Sequence, residues 1–271
     1  MKRIIILLII GLICLNAYAG IFGKDYDTRG ALVSYKPIYL ITGFAEEEQV
    51  KIQISLMYDL FYPIKTGLYL AYSQLMFWDF WNFSAPFREI NYNPELIWRF
   101  ESGNNFLGDI SILFLDYFQI GLEHLSNGKD GADSRGWSGA YAQIQLSFGD
   151  VINAGINYKY IWLFDVRENT DIQKFIGPMT TELFVKLVDT KKHLDLEEIY
   201  FRFGFGEGDN GLDFLNGWQE LGLKARTILS RFRPYIQLYR GYAESIIDYN
   251  KSKEELGDPL GIALKVGLII E

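Results

Sequence analysis

The stretch GDISILFLDYFQIGLEH, residues 108–124, alternates between apolar and polar side chains, and this alternation indicates the fold. The even positions are mostly apolar, namely Ile110, Ile112, Phe114, Phe118, Ile120 and Leu122. The odd positions are largely polar or small, and include Ser111, Tyr117, Gln119, Gly121 and Glu123. Because successive side chains of a β-strand point to opposite faces, the stretch predicts a strand with one apolar and one polar face. Asp116 interrupts the apolar face, where we expect a β-bulge or a polar neighbour.

Eleven other segments have a similar character and are separated by turn residues. They span residues 38–44, 51–60, 67–78, 94–101, 140–148, 153–164, 182–188, 199–205, 220–227, 235–239 and 262–270. Together with residues 108–124 they make about twelve strands. Barrels of bacterial outer membranes have an even number of strands, so this count is compatible with such a barrel.

Aromatic residues make up 16% of the chain, yet after the N-terminal region no stretch is apolar for long enough to form a membrane helix. A closed barrel can still lie in a bilayer, because its strands satisfy every backbone donor and acceptor between them. The sequence therefore predicts an all-β fold, a transmembrane antiparallel up-and-down β-barrel. The alternative is a soluble β-sandwich or a lipocalin-like barrel with its apolar face inward, since the sequence does not show which face points outward.

Residues 1–19 have the pattern of a secretory signal peptide. Two basic residues precede an apolar run over residues 4–15, and residues 17–19 form a small-x-small cleavage signal. We expect a single barrel domain over residues 20–271 in the mature protein. The only cysteine, Cys14, would be removed with the signal peptide, which leaves no disulfide. The formal net charge of -8 argues against nucleic acid as a partner.

His124 is one of only two histidines in the chain, and Ser126 follows it at the end of the alternating stretch. Residues i and i+2 of a strand point to the same side, so the imidazole and the hydroxyl would lie side by side on the lipid-facing wall. Nucleophilic catalysis needs this adjacency, because serine attacks a carbonyl only when a base takes its proton. The alternative is that His124 belongs to the rim of the barrel and Ser126 begins a loop.

Three segments carry a resemblance to a known family. HLSNGKDGADSRGW, residues 124–137, contains a His-x-Ser-Asn-Gly stretch, a loop and a Ser-Arg-x-Trp ending. The other two are YSQLMFWDFWNFSAPFREINYNPEL, residues 72–96, and YRGYAESIIDYN, residues 239–250. In their order along the chain, 72–96, 124–137 and 239–250, the segments resemble the outer membrane phospholipase A family. The resemblance implies a phospholipase A1/A2 with lysophospholipase activity in a Gram-negative outer membrane, acting on outer-leaflet phospholipids, with calcium as cofactor and a homodimer as the active form.

The resemblance also implies roles for three residues in catalysis. Ser126 would be the nucleophile, His124 the general base, and Ser138 stands where the family has an asparagine that orients the base. An asparagine carbonyl accepts a hydrogen bond from the imidazole N–H, and a serine oxygen can accept the same bond from a shorter side chain. Either Ser138 orients His124 directly or through a water, or the protein is a catalytically impaired or non-enzymatic structural or pore barrel of the same fold.

Further residues follow from the resemblance for calcium binding and for dimerisation. The calcium ligands would be the Lys129 carbonyl, the Ser134 hydroxyl and Ser84 of a second copy of the chain. A further calcium position falls on Glu168. Gln74 matches a glutamine that holds the dimer together inside the bilayer, and a lumen-facing glutamine is the alternative interpretation.

Overall fold

The structure is a computed structural model that describes residues 31–43, 50–64, 66–101, 113–149, 152–167, 169–187, 196–209, 211–226, 231–257 and 261–270. The expected signal peptide, residues 1–19, lies outside the described residues, and so does Glu168. The statements about both therefore remain predictions. Within the described part of the chain, no helix is long and apolar enough to span a membrane.

Nearly all regular structure is β-strand. The strands are β1 (Leu32–Ser34), β2 (Ile38–Gly43), β3 (Val50–Asp59), β4 (Leu68–Trp78), β5 (Phe87–Glu101), β6 (Leu113–Ser126), β7 (Gly136–Phe148), β8 (Ile152–Asp165), β9 (Met179–Leu187), β10 (Leu196–Gly208), β11 (Gly211–Ala225), β12 (Phe232–Gly241) and β13 (Ile262–Ile270). A 3-10 turn (Gly131–Asp133) and one short helix, α1 (Gln173–Ile176), lie in connections between strands.

The strands close into a twelve-stranded antiparallel barrel, as the sequence predicts. From β2 to β13 each strand pairs with the next, and β13 pairs with β2 to close the sheet. The short β1 pairs with the part of β3 that β2 leaves uncovered, since Ser34 lies opposite Leu56 and Tyr39 opposite Gln53. β1 and β2 therefore act as two halves of one barrel strand, so the thirteen segments form twelve strands.

The apolar face of β6 points outward and its polar face points into the lumen. Ile120 and Leu122 are 45% and 52% exposed, whereas Gln119 and Glu123 are 0% and 5% exposed. A soluble barrel with an apolar interior would have the opposite arrangement, so the lipocalin-like alternative is wrong. The orientation is the one expected of a barrel that meets lipid with its outer wall.

A bulge at Asp116 explains the interruption in the alternation of β6. The register between β6 and β7 shifts between Leu115 and Tyr117, which leaves Asp116 as the extra residue. Its carboxylate accepts hydrogen bonds from Gln145 Nε2 at 2.8 Å and from Ser147 Oγ at 2.7 Å. Both expected features, a bulge and polar neighbours, are therefore present.

The lumen is filled by charged and polar side chains that are paired with one another. The buried Glu244 carboxylate accepts hydrogen bonds from Lys51 and Lys265, each at 3.0 Å, and also contacts Lys253. Glu95 accepts from Lys36 at 2.6 Å and from the Tyr141 hydroxyl at 2.8 Å. Buried charges are tolerated when each has such partners. These networks connect strands across the interior and stabilise the barrel wall.

One end of the barrel is packed by loops that support the β6–β7 connection. Ile172, Ile246 and Tyr249 form a buried cluster, and Leu125 and Trp137 pack against it. The cluster joins the loop after β8 to the segment YRGYAESIIDYN, residues 239–250, which includes the end of β12 and the loop that follows it. This segment therefore has a structural role, and it supports the end of β6 that carries His124 and Ser126.

Candidate active site on the outer wall

His124 and Ser126 lie on the outward face at the end of β6. They continue the face formed by Ile120 and Leu122, with His124 exposed and Ser126 half-buried. A strand rises about 3.3 Å per residue, so the two Cα atoms are about 6.6 Å apart along the strand. The imidazole and the hydroxyl are therefore neighbours on the outer wall, at the level where the strands give way to loops.

Ser138 contacts the His124 ring from the next strand. The two residues are directly opposite each other on β6 and β7. The distance between His124 Nδ1 and Ser138 Oγ is 2.9 Å, which is a normal hydrogen-bond length. This contact needs no bridging water, although the serine side chain is shorter than asparagine. The structure thus brings Ser138 to the nitrogen that an orienting residue has to reach.

The contact has a chemical consequence for the other ring nitrogen. In a neutral imidazole one nitrogen carries the proton and the other accepts. When Nδ1 donates to Ser138 Oγ, the Nε2 lone pair of His124 is available to take a proton from a neighbouring hydroxyl. Ser126 supplies such a hydroxyl on the same face of the strand. Among the described contacts, His124 thus bonds to Ser138, while Ser126 lies on the same face two positions along β6 without a hydrogen bond to the ring.

The loop over residues 127–135 is organised by the buried side chain of Asn127. Its Nδ2 donates to the Asp133 carbonyl at 2.8 Å, and its Oδ1 accepts from the backbone N–H groups of Lys129 at 3.2 Å and Arg135 at 3.0 Å. Ser134 lies in this loop directly after the 3-10 turn. The loop is thus held in one conformation, and it contains two of the expected calcium ligands, the Lys129 carbonyl and the Ser134 hydroxyl.

Ser84 lies in a second loop, between β4 and β5, where its side chain is exposed. Its φ of 66° is in the left-handed region, and the turn is fastened by a 2.8 Å hydrogen bond from Trp78 Nε1 to the Ala85 carbonyl. The loop over residues 127–135 contacts the start of β5, just after the Ser84 loop, where the Lys129 ammonium donates to the Arg88 carbonyl at 3.5 Å. Among the described residues, no group of three His, Cys, Asp or Glu side chains is arranged as a metal site.

The donor set nevertheless suits calcium. The Lys129 carbonyl, the Ser134 hydroxyl and the exposed Ser84 hydroxyl all present oxygen, the ligand that a hard cation prefers. The organisation of the first two by Asn127 limits the conformational freedom that a metal ion would have to restrict. The residues present therefore fit the cation that the sequence resemblance implies.

Gln74 lies on the outer wall, in the middle of β4. Leu70 and Tyr72 on the same face are 51% and 40% exposed, whereas Ser73, between Tyr72 and Gln74, is 6% exposed and bonds to Ser55 inside. The Gln74 amide oxygen accepts a 3.0 Å hydrogen bond from the Tyr72 hydroxyl. Gln74 therefore lies on the outer wall, and the lumen-facing alternative is wrong.

Asp165 was missed by the sequence analysis, although the structure places it beside the site. It is the last residue of β8 and lies opposite Ser138. Arg167 binds its carboxylate through Nε at 2.9 Å and Nη2 at 2.8 Å. The predicted strand over residues 153–164 ends one residue earlier, and no spacing in the sequence connects Asp165 with Ser138. The fold and the site together define a class, a membrane-type β-barrel that carries a histidine–serine site on its outer wall.

The comparisons with known proteins identify the family within this class. The sequence profile of the family described as Phospholipase A1 matches residues 33–264. This range is well over half of the chain, so the protein belongs to the phospholipase A1 family, as the resemblance of the three segments indicates. Its relatives and its barrel support a lipid-ester hydrolase of the Gram-negative outer membrane.

Relatives in sequence and in structure cover most of the chain. Phospholipase A1 of Klebsiella pneumoniae is 29% identical over 266 residues, which span 86% of this chain and 83% of the relative. The structure of outer membrane phospholipase A from Escherichia coli is similar with a TM-score of 0.73 and 26% identity, covering 92% of this chain and 95% of the other. The outer membrane phospholipase of Salmonella typhi, a dimer with bound calcium, shares the fold with a TM-score of 0.71, 24% identity and coverage of 93% and 96%.

Proposed function

We propose that this protein is a calcium-dependent phospholipase that hydrolyses acyl esters of outer-leaflet phospholipids, with phospholipase A1, phospholipase A2 and lysophospholipase activity. The observation that carries the proposal is the 2.9 Å contact between His124 Nδ1 and Ser138 Oγ, two strand positions from Ser126. The site faces away from the lumen and continues an apolar surface that includes Leu122. A phospholipid ester would therefore reach it sideways from the membrane.

Acyl transfer would begin at Ser126. Its Oγ attacks the carbonyl carbon of the ester while His124 Nε2 removes the hydroxyl proton. In the productive tautomer Ser138 Oγ accepts from Nδ1–H, which leaves Nε2 free to act as the base. When the ester C–O bond breaks, His124 returns the proton to the leaving oxygen. The lysophospholipid departs, and the acyl group stays on Ser126.

Hydrolysis of the acyl-enzyme would use the same groups, with water as the nucleophile and Ser126 as the leaving group. His124 Nε2 removes a proton from a water, and the resulting nucleophile attacks the acyl carbonyl carbon. The bond to Ser126 Oγ then breaks, and His124 returns the proton to that oxygen. The fatty acid leaves, and the hydroxyl of Ser126 is restored for the next ester.

Calcium would be held by the Lys129 carbonyl and the Ser134 hydroxyl of one chain together with Ser84 of a second copy. When bound, the cation would supply electrostatic stabilisation of the ester oxygen as negative charge develops on it. The exposed position of Ser84 and the fixed conformation of the loop over residues 127–135 support this assignment. Glu168 would provide a further calcium position.

The active form would be a homodimer that brings Ser84 of one copy to the calcium loop of the other. Gln74 supports this part of the proposal, because its amide lies on the outer wall, where Tyr72 bonds to its oxygen but lipid offers its N–H groups no acceptor. An unpaired polar group facing lipid is costly, so pairing across an interface between two barrels is favourable. Regulation by dimerisation would follow, since one chain alone would have an incomplete set of calcium ligands.

Fatty acid release from vesicles is the direct test. Protein refolded in detergent should release fatty acid with calcium and lose that activity with a chelator. Ser126→Ala should reduce the calcium-dependent rate by about a thousandfold or more while leaving the barrel folded. Equal background release by wild type, chelated protein and Ser126→Ala would instead favour the non-enzymatic barrel, the alternative that the replacement of asparagine by Ser138 leaves open.

A further inference from the structure

A serine in the orienting position creates a problem that an asparagine carbonyl does not have. A carbonyl oxygen can only accept, so it selects the imidazole tautomer with a proton on Nδ1. The Ser138 hydroxyl can accept from His124 Nδ1–H, but it can equally donate to an unprotonated Nδ1. In the second arrangement the proton lies on Nε2, and the ring is unable to act as a base toward Ser126. The 2.9 Å contact alone therefore does not select the productive tautomer.

A bulge in β8 brings Asp165 to the same face as Ser138. Ser138 lies opposite Asp165, but Gly139 lies opposite Leu163, so Phe164 is an extra residue in β8. In a regular strand Asp165 would point to the opposite face from Phe164, which is 68% exposed on the outer wall. A bulge changes the direction of the side chain that follows it and is common beside active sites. His124, Ser138 and Asp165 thus form one row across β6, β7 and β8.

Arg167 holds Asp165 as an ionised carboxylate in this row. Both side-chain contacts, Nε to Oδ1 at 2.9 Å and Nη2 to Oδ2 at 2.8 Å, form a bidentate pair. The Arg167 backbone N–H also points to Oδ1, at 3.4 Å. The Asp165 and Arg167 side chains are 36% and 87% exposed, so this ion pair lies at the accessible surface and not in the packed lumen.

The other ionisable groups around His124 do not substitute for Asp165. On β5 the outward-facing neighbour of this part of β6 is Tyr92, which lies opposite Ser126. Glu123 on β6 itself points into the lumen, where it pairs with Lys159 at 2.5 Å. Asp165, accompanied by Arg167, is therefore the carboxylate that faces the His124–Ser138 pair within the described residues.

We propose that Asp165 is a positioning residue that sets the direction of the Ser138 hydroxyl. A carboxylate attracts the hydroxyl proton toward the β8 side and leaves the Ser138 lone pairs for His124 Nδ1–H. The Ser138 hydroxyl dipole oriented in this way favours a proton on His124 Nδ1, so the Nδ1–H tautomer gains stability. The row His124–Ser138–Asp165 would thereby do with two residues what an asparagine does alone. The catalytic consequence rests on the proposed function, whereas the tautomer preference does not.

The tautomer of His124 can be measured without any catalysis. Replacing the chain's other histidine, His193→Gln, leaves a single imidazole whose ¹⁵N chemical shifts report the proton position in detergent micelles at alkaline pH. We expect the Nδ1–H form to dominate in this background. Asp165→Asn should lower the ratio of Nδ1–H to Nε2–H by about tenfold, because the negative charge opposite Ser138 is removed. Asp213→Asn, at a carboxylate on the same end of the barrel, is the matched control and should leave the ratio unchanged.

A rescue variant separates positioning from a merely structural role. In Ser138→Asn the carbonyl can only accept, so adding Asp165→Asn should no longer change the tautomer ratio. An unchanged ratio in Asp165→Asn alone, in a barrel that still shows the electrophoretic mobility of the folded state, would overturn the proposal. If the ratio shifts as expected but wild type releases no fatty acid, the proposed function fails while the positioning role stands. If wild type is active and the ratio does not shift, only the positioning role fails.

Discussion

Inside the barrel the Glu244 carboxylate contacts three lysines, whereas on the outer wall the His124 ring makes one side-chain hydrogen bond among the described residues, to Ser138. The interior charges are buried, so each needs several partners to offset desolvation, and the loss of one partner leaves the others unpaired. The outer site needs a base whose second nitrogen stays free. The lumen is thus arranged for stability and the outer wall for reaction, and substitutions in the two regions should have separable effects.

The largest effect is expected for the base on the outer wall. His124→Ala should lower the rate of fatty acid release by about 10⁴-fold, because proton removal from Ser126 is lost. The free energy of unfolding of this variant should differ from that of the wild type by less than about 0.5 kcal/mol, since the His124 side chain is exposed. Rates on vesicles and urea unfolding in detergent measure the two quantities. His193→Ala is the control and should retain full activity; a similar loss there would argue against a specific role for His124.

Substitutions in the lumen should affect the free energy of unfolding strongly and the catalytic rate only slightly. Glu244→Ala leaves Lys51 and Lys265 buried without their carboxylate, which should lower the free energy of unfolding by about 3–5 kcal/mol. The activity of the molecules that remain folded should be close to wild type. Glu255→Ala is the matched control, because that carboxylate is exposed and bonds only within its own turn among the contacts described. Comparable unfolding midpoints for the two variants would contradict the distinction between lumen and surface.

An intermediate effect is expected for the orienting residue. Ser138→Ala removes the oxygen at 2.9 Å from His124 Nδ1 and should lower kcat by about a hundredfold with little change in KM. Ser138→Asn should equal or exceed the wild-type kcat, because a carbonyl selects the productive tautomer without help. A Ser138→Ala enzyme with an unchanged kcat would show that the ring needs no partner on β7.

The smallest effect is expected for Gln74, which lies on the outer wall away from the candidate active site. Gln74→Ala should raise the dimer dissociation constant by about fivefold, since one hydrogen bond between polar side chains in a membrane contributes about 1 kcal/mol. Activity should fall in parallel. Cross-linking in detergent at several protein concentrations measures the dimer. Ile199→Ala on β10, an outward residue elsewhere on the wall, should change neither quantity. Unchanged cross-linking in Gln74→Ala would remove Gln74 from the interface.

The strand pattern was predictable where the wall faces lipid and less so near the rim. All twelve predicted segments overlap strands, but β5 begins at Phe87 instead of residue 94, and β11 at Gly211 instead of residue 220. Outside the apolar band a strand can continue without alternating apolar residues, so its ends lack the signal that reveals its middle. The short β1 was missed for a related reason, because only three residues precede the interruption before β2.

The sequence by itself determined the properties that depend on neighbours along one strand. Alternation predicts the barrel, and the i, i+2 spacing predicts that His124 and Ser126 share a face. Tertiary structure decided which face points outward, which residue of β7 meets His124, and that a bulge at Phe164 turns Asp165 toward Ser138. These features depend on the register between strands. Pairing joins residues far apart in the chain, and a shift of one residue would move every side chain to the other face.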